Sequence, residues 1–300
     1  MSFALHDIRP GFVAEIVGLD LAQRIAADVA AELRAVADQN GVLVFRQHSL
    51  TNDQQITFTE IFGTPERYAL SYRNNVKLRL GKPEMVDVSN LDAETGKPAQ
   101  GESRHRMVNL GNRLWHTDSS FRLPAGGYSL LYAHEVPPHG PFGNGETEFA
   151  DTAAAWDKLP VERQVLLDGK ETEHSLMHSR AMMGFTDFTP EERAALPPVR
   201  QPLVRTNPRT GRKSLYLASH ASHIIGMPVP ESRLLLAELI ERATHPDTAY
   251  RHTWSVGDLV MWDNRRTLHR GLAFDERFAR DLRRVTTSDG TELEQASAAA

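Results

Sequence analysis

A chain of 300 residues, 40% hydrophobic and 24% charged, can bury a substantial core as one large domain or two small ones. Its formal net charge of −5 gives no basis for a general nucleic-acid binder. Cysteine is absent, which excludes disulfides, thiolate metal sites and a cysteine nucleophile and fits a reducing cytoplasm.

No apolar run approaches the eighteen or so residues of a membrane span. Residues 1–7 lack the basic start and apolar run of a secretory signal. Ile25, Val29, Leu33 and Val36 are spaced by three or four, which predicts an amphipathic helix over 25–38 with Gly41 as its stop. The run at 42–45, Val-Leu-Val-Phe, reads as a buried strand. Thr51 or Asn52 can cap a second helix reaching 61 and ended by Gly63. Residues 64–113 are polar with scattered basic and aromatic side chains, a long excursion that is either substrate-contacting or plain surface loop.

A strand follows over 128–136, closed by Pro137 and Pro138, and a turn-rich loop over 140–145. Asp151 is placed to cap a helix through 159. Segments 202–206 and 214–218 flank Asn207 to Gly211, a hairpin signal. A leucine-rich helix spans 231–243, and 250–254, 259–262 and 283–287 read as closing strands. The small, polar, alanine-rich end at 291–300 is expected to be a disordered tail. Short strands with interspersed helices, no βαβ rhythm and no GxGxxG or P-loop signature predict an α+β chain. The best fit is a double-stranded β-helix, or jelly-roll, core with flanking helices, in one domain over 1–290.

The segment Leu114-Trp115-His116-Thr117-Asp118 carries the chemistry. On an extended segment, His116 and Asp118 point to the same side. His269, directly after the apolar run 259–262, would complete two imidazoles and one carboxylate. That set with three open positions is the facial triad of non-haem Fe(II) oxygenases. A lone His-x-Asp is a weak signal, and the chain has 13 histidines from which a third ligand can be chosen. The setting strengthens it, because a buried carboxylate is costly unless paired or metal-bound. Arg280 and Arg284, four apart, suit carboxylate recognition. A solvated basic stretch balanced by Asp275, Glu276 and Asp281 would look the same by spacing alone.

The chain resembles the taurine dioxygenase family of Fe(II)/2-oxoglutarate-dependent dioxygenases, and within it the dichlorophenoxyacetate dioxygenase branch. The resemblance runs from about Phe12 to Thr287. It is carried by the segments 42–46, 53–56, 114–121, 146–149, 202–206, 220–223, 257–265 and 282–287. It implies His116, Asp118 and His269 as iron ligands, with 2-oxoglutarate and O2 as cosubstrates. Thr147 and Arg280 match the pair that holds the distal carboxylate of 2-oxoglutarate. Arg284 matches the arginine that meets the acidic group of the substrate, His223 a substrate-side histidine, and Asn112 a substrate-side or metal-adjacent asparagine.

The resemblance further implies hydroxylation of a small anionic substrate, with succinate and CO2 released. A phenoxyacetate-type aryloxyalkanoate would collapse to a phenol and glyoxylate. A sulfonate such as taurine, or another small carboxylate, is the alternative, and a Zn-dependent hydrolase a distant one. Asn207, the extended loop 141–144 and the poorly matching stretch 68–80 depart from the branch and bear on substrate choice. Lys97 reads as a surface lysine or a second cationic contact. Tyr72, Met182 and Met183 are pocket candidates that read equally as packing. A cytoplasmic homo-oligomer without nucleic-acid or membrane partners is expected.

Overall fold

The computed structural model describes residues 2–67, 79–99 and 104–290. The expected tail at 291–300, Tyr72 and most of the stretch 68–80 lie outside them. Among the described residues the largest sheet has seven strands. Their spatial order is Ala4–Arg9, Val13–Val17, Val42–Phe45, Leu259–Asp263, Gly126–Glu135, Asp281–Ser288 and Met85–Asp87. Neighbours are antiparallel except Val13–Val17 beside Val42–Phe45. A smaller sheet sets Thr147–Asp151 between Tyr250–His252 and Thr267–Gly271.

Side chains alternate across a strand, so the run 42–45 serves two cores at once. Leu43 and Phe45 join Leu130, Leu259 and Met261 beneath the helices Ala27–Gln39 and Asn52–Thr59, which contribute Leu33, Ala37 and Phe58. Val42 and Val44 join Leu131, Val260 and Trp262 on the opposite face, against Phe149 and Tyr250 of the smaller sheet. The two sheets therefore face each other. The smaller sheet turns Ala150 and Leu268 the other way, onto Leu215, Leu217 and the helix Val229–Ala243.

Local chemistry sets the element ends. Thr51 closes a capping box with Gln54 at the start of Asn52–Thr59. Asp151 accepts from the backbone of Ala153 and Ala154 at the start of Thr152–Asp157. Gly41 follows the first helix because a Cβ there would lie 2.6 Å from the Phe12 ring. The hairpin expected around 207–211 is present, pairing Val204–Thr206 with Lys213–Leu215. No helix among the described residues is long and apolar enough to cross a membrane.

The placement of His269 differs from expectation. It does not end the strand Leu259–Asp263 but stands in the middle of a separate strand, Thr267–Gly271, in the other sheet. A turn at Asp263–Arg266 makes the crossing, with Arg266 N donating to Asp263 O at 3.2 Å. The polar run Asn264-Arg265-Arg266-Thr267 hid the second strand from periodicity. Seven other strands, Ala4–Arg9, Val13–Val17, Met85–Asp87, Thr147–Asp151, Glu171–His174, Val199–Pro202 and Ala221–Ile224, also went unpredicted.

Candidate active site

His116 and His269 meet across a single antiparallel bridge. His116 N donates to His269 O at 3.0 Å and His269 N returns to His116 O at 2.9 Å. A pair that exchanges both bonds projects its side chains to one side, and the two ring centroids are 4.1 Å apart. His269 faces inward between the sheets, 4.5 Å from the Trp262 ring. Asp118, two residues beyond His116, reaches the same point. Its Oδ1 lies 3.7 Å from His116 Nε2 and its Oδ2 3.6 Å from His269 Nε2. One ligand-competent atom from each of the three buried residues lies within 4.8 Å of the others.

The protonation states suit a cation. Leu114 O accepts from His116 Nδ1 at 2.7 Å, and a carbonyl can only accept, so Nδ1 carries the proton and Nε2 keeps its lone pair. Burial pushes the His116 pKa down to about 4 and that of His269 well below its ordinary value. Both are therefore neutral at physiological pH, as metal ligation needs. Burial pushes the Asp118 carboxyl up, but the Arg284 guanidinium and the Ser129 hydrogen bond outweigh it and hold the group below the usual range.

Asp118 is fixed from behind. Ser129 Oγ donates to its Oδ2 at 2.7 Å. Its backbone N–H donates to Asn264 Oδ1 at 3.1 Å, and Asn264 Nδ2 donates to Ser129 Oγ at 2.9 Å. Trp262 Nε1 also donates to Asn264 Oδ1, at 3.0 Å. Arg284 Nη1 donates to Asp118 Oδ1, so this guanidinium stands directly at the triad.

The triad opens on a cavity of about 900 Å³ of empty space, part of it open to solvent, which His116, His269, Asn112, Thr147, Arg280 and Arg284 all help to line. Arg280 is buried in its wall. Nη1 donates to Val88 O at 3.2 Å and Nη2 to Gly145 O at 3.0 Å, while Nε is buried without a partner. Burial lowers its pKa to about 10. Thr147 Oγ1 accepts from Trp254 Nε1 at 3.0 Å and retains its own proton to donate. Nearer the mouth, Glu276 accepts from Arg106 at 2.6 Å and Arg113 at 2.8 Å.

Not every expected residue is here. His223 stands on the strand Ala221–Ile224, half-buried against Ser222 and Glu173, and does not line the cavity. His220 of the same segment comes closer, its ring 6.1 Å from that of His116. His223 was expected from the resemblance alone, and a β-bulge between Ala221 and His223 shifts the register of this strand. Lys97 is exposed, and neither Met182 nor Met183 lines the cavity. Asn264 and Ser129 were not singled out. Asn264 was visible only as part of the 257–265 segment.

Comparison with known proteins agrees with this geometry. The family model described as taurine catabolism dioxygenase TauD, TfdA family, matches residues 4–286. An alpha-ketoglutarate-dependent 2,4-dichlorophenoxyacetate dioxygenase of Cupriavidus pinatubonensis is 45% identical over 96% of this chain and 99% of its own length. The enzyme of that name from a Burkholderia species is 44% identical over 96% of this chain and 95% of its own. The crystal structure of AAD-2 with Mn(II) and N-oxalylglycine superposes with a TM-score of 0.90 at 44% identity, covering 96% of this chain and 98% of that one.

Proposed function

The chain belongs to the TauD, TfdA family and is a 2-oxoglutarate-dependent dioxygenase, and on that premise we propose that it oxidises a phenoxyacetate-type aryloxyalkanoate. The observation that carries the reading is the triad opening on a cavity whose wall holds a buried arginine with no carboxylate partner among the described residues. His116, Asp118 and His269 hold Fe(II) on one face. When bound, iron with 2-oxoglutarate and O2 supplies the oxidation, and one oxygen atom each goes to substrate and to succinate as CO2 leaves.

The remaining work belongs to the chain. Arg280 and Thr147 fix the distal carboxylate of 2-oxoglutarate, and Arg284 receives the acid group of the substrate. The carbon beside the ether oxygen is thereby turned toward the metal. Leu110, Leu272 and Phe274 give the aryl end an apolar wall. Hydroxylation of that carbon makes a hemiacetal, which loses the phenol and leaves glyoxylate. The same reading includes a jelly-roll arrangement, supported by the two facing sheets, in one domain over 1–290. It also includes a cytoplasmic homo-oligomer.

The test is an aerobic assay with Fe(II), 2-oxoglutarate and either phenoxyacetates or taurine, scoring phenol and succinate. Phenol and succinate in equal amounts from phenoxyacetate are expected, lost in His269→Ala and without O2. Turnover of taurine but of no phenoxyacetate would overturn the substrate, and turnover without O2 would overturn the oxygenase.

A further inference from the structure

Thr147 lines the cavity, but its strand fixes only where the hydroxyl oxygen lies and not where the proton points. A threonine hydroxyl has one proton and two lone pairs, and it turns until a neighbour selects an orientation. Trp254 is that neighbour. Its Nε1 can only donate, and it lies 3.0 Å from Thr147 Oγ1. The bond occupies one lone pair and turns the Thr147 proton away from the indole. Among the described residues no acceptor takes that proton. A hydrogen bond received at the oxygen also polarises the O–H and strengthens it as a donor.

The indole is itself held. Trp254 is buried, and its ring meets that of His252 edge to face at 4.5 Å. His252 Nε2 lies 3.2 Å from Asp258 Oδ2 and its Nδ1 3.2 Å from the Tyr250 hydroxyl, so both ring nitrogens are engaged. The carbonyl of Trp254 accepts from Asn144 Nδ2 at 3.0 Å. Asn144 also donates its backbone N–H to Glu146 Oε2 at 3.2 Å, which tightens the turn leading into Thr147. Between them stands Gly145, whose carbonyl accepts from Arg280 Nη2 at 3.0 Å. Trp254 thus reaches Thr147 through its ring and, through its carbonyl, the loop that orients Arg280. It does not line the cavity, so anything it does for a ligand passes through these two residues.

We propose that Trp254 is a positioning residue for the cosubstrate: it aims the Thr147 proton into the cavity and braces the loop behind Arg280. Both donors for the distal carboxylate are then set before 2-oxoglutarate arrives. The proposal rests on the reading that Thr147 and Arg280 take that carboxylate. Donors oriented in advance bind more tightly because little ordering remains to be done on binding.

Titration calorimetry on Mn(II)-loaded enzyme tests this without turnover. N-oxalylglycine is the probe that carries a distal carboxylate, and oxalate the probe that lacks one. Trp254→Phe removes the N–H and keeps the carbonyl. It should weaken N-oxalylglycine about three- to tenfold, the worth of one oriented hydrogen bond, and leave oxalate within about twofold of wild type. Thr147→Val should weaken N-oxalylglycine at least as much. Adding Trp254→Phe to Thr147→Val should cost little more, because the indole then has no hydroxyl to orient. Thr147→Ser, which keeps the hydroxyl, should bind nearly as wild type and should again lose affinity when Trp254→Phe is added. Asn144→Ala, which loosens the loop and leaves the indole in place, should weaken N-oxalylglycine and spare oxalate. Wild-type N-oxalylglycine affinity in Trp254→Phe, or losses that add in the double variant, would refute the proposal. So would an equal loss of oxalate, which would mark a merely structural tryptophan. Should Trp254→Phe not fold, Asn144→Ala carries the test, and unchanged N-oxalylglycine affinity there refutes the proposal. If Thr147→Val and Arg280→Ala both bind N-oxalylglycine as wild type does, the carboxylate reading itself fails and the proposal with it.

Discussion

Arg280 is a cation where a cation is costly. Its two donating nitrogens meet carbonyl oxygens, whose partial charges do not neutralise it, and Gly145 is held close by the lack of a Cβ. A dicarboxylate that reaches this wall finds a guanidinium already oriented and desolvated. Losing such a charged contact costs about 1.5–3 kcal/mol. Arg280→Ala should therefore weaken 2-oxoglutarate by about tenfold or more while leaving phenoxyacetate affinity nearly unchanged. Calorimetric titration of each ligand checks it, and an unchanged 2-oxoglutarate affinity would remove Arg280 from the role. Arg280 was legible in the sequence through the spacing to Arg284 and the surrounding motif. His220 was quoted within the matching segment, but the resemblance assigned the substrate-side role to His223.

The turn Asp263–Arg266 shows what an element contributes beyond its own residues. It carries the chain from one sheet to the other, and it delivers Asn264 into three buried hydrogen bonds, to Asp118 N, Trp262 Nε1 and Ser129 Oγ. Asn264→Ala strands two buried N–H donors, each at about 1–3 kcal/mol. We expect a lower melting temperature and, because Asp118 loses its support, a 10- to 100-fold weaker metal affinity. Mn(II) titration followed by electron paramagnetic resonance measures the second effect. Wild-type metal affinity in this variant would show that Asn264 holds the fold and not the site.

The strand Asp281–Ser288 begins with another charge network. Burial pushes Asp281 up, but hydrogen bonds from Arg79 and Arg283 pull its pKa from 3.8 down to about 2. A folded-state pKa below the unfolded one stabilises above about pH 4, and that stability is lost as pH falls toward 2. Acid unfolding of Asp281→Asn should lack this component, so the gap from wild type should close between about pH 4 and pH 2. A gap that persists at pH 2 would argue against it. Strong elements such as Ala27–Gln39, Val42–Phe45 and Val229–Ala243 were readable from periodicity and caps. Thr267–Gly271 was not, because both its faces are buried, with Leu268 on one side and a histidine on the other.

At the scale of the molecule, a net charge of −5 conceals a cavity of the opposite sign. Among the described residues its lining holds Arg106, Arg113, Arg280 and Arg284 against one carboxylate, Glu276, outside the triad. Low-dielectric walls focus such a field and speed the arrival of an anion. The association rate of 2-oxoglutarate should fall on the order of tenfold from low to high salt. Stopped-flow binding across a salt series checks this, and a salt-independent rate would show that steering is negligible. Composition bounded the fold class and excluded thiol chemistry. It could not show where charge of one sign collects, since that depends on which chain segments meet.

The bridge between His116 and His269 joins positions separated by half the chain. A contact between such distant segments forms only after the intervening chain has closed its loops, an event that belongs late in folding. A growing or partly opened polypeptide can present at most the His116–Asp118 end to a metal, and two donors bind iron far less tightly than three. Tight metal uptake at the triad would therefore wait for completion of the fold, and a bound ion would favour the closed chain by mass action. A metal ion at the triad would act as an inspector of assembly: finished molecules would retain it and those that have come apart would release it.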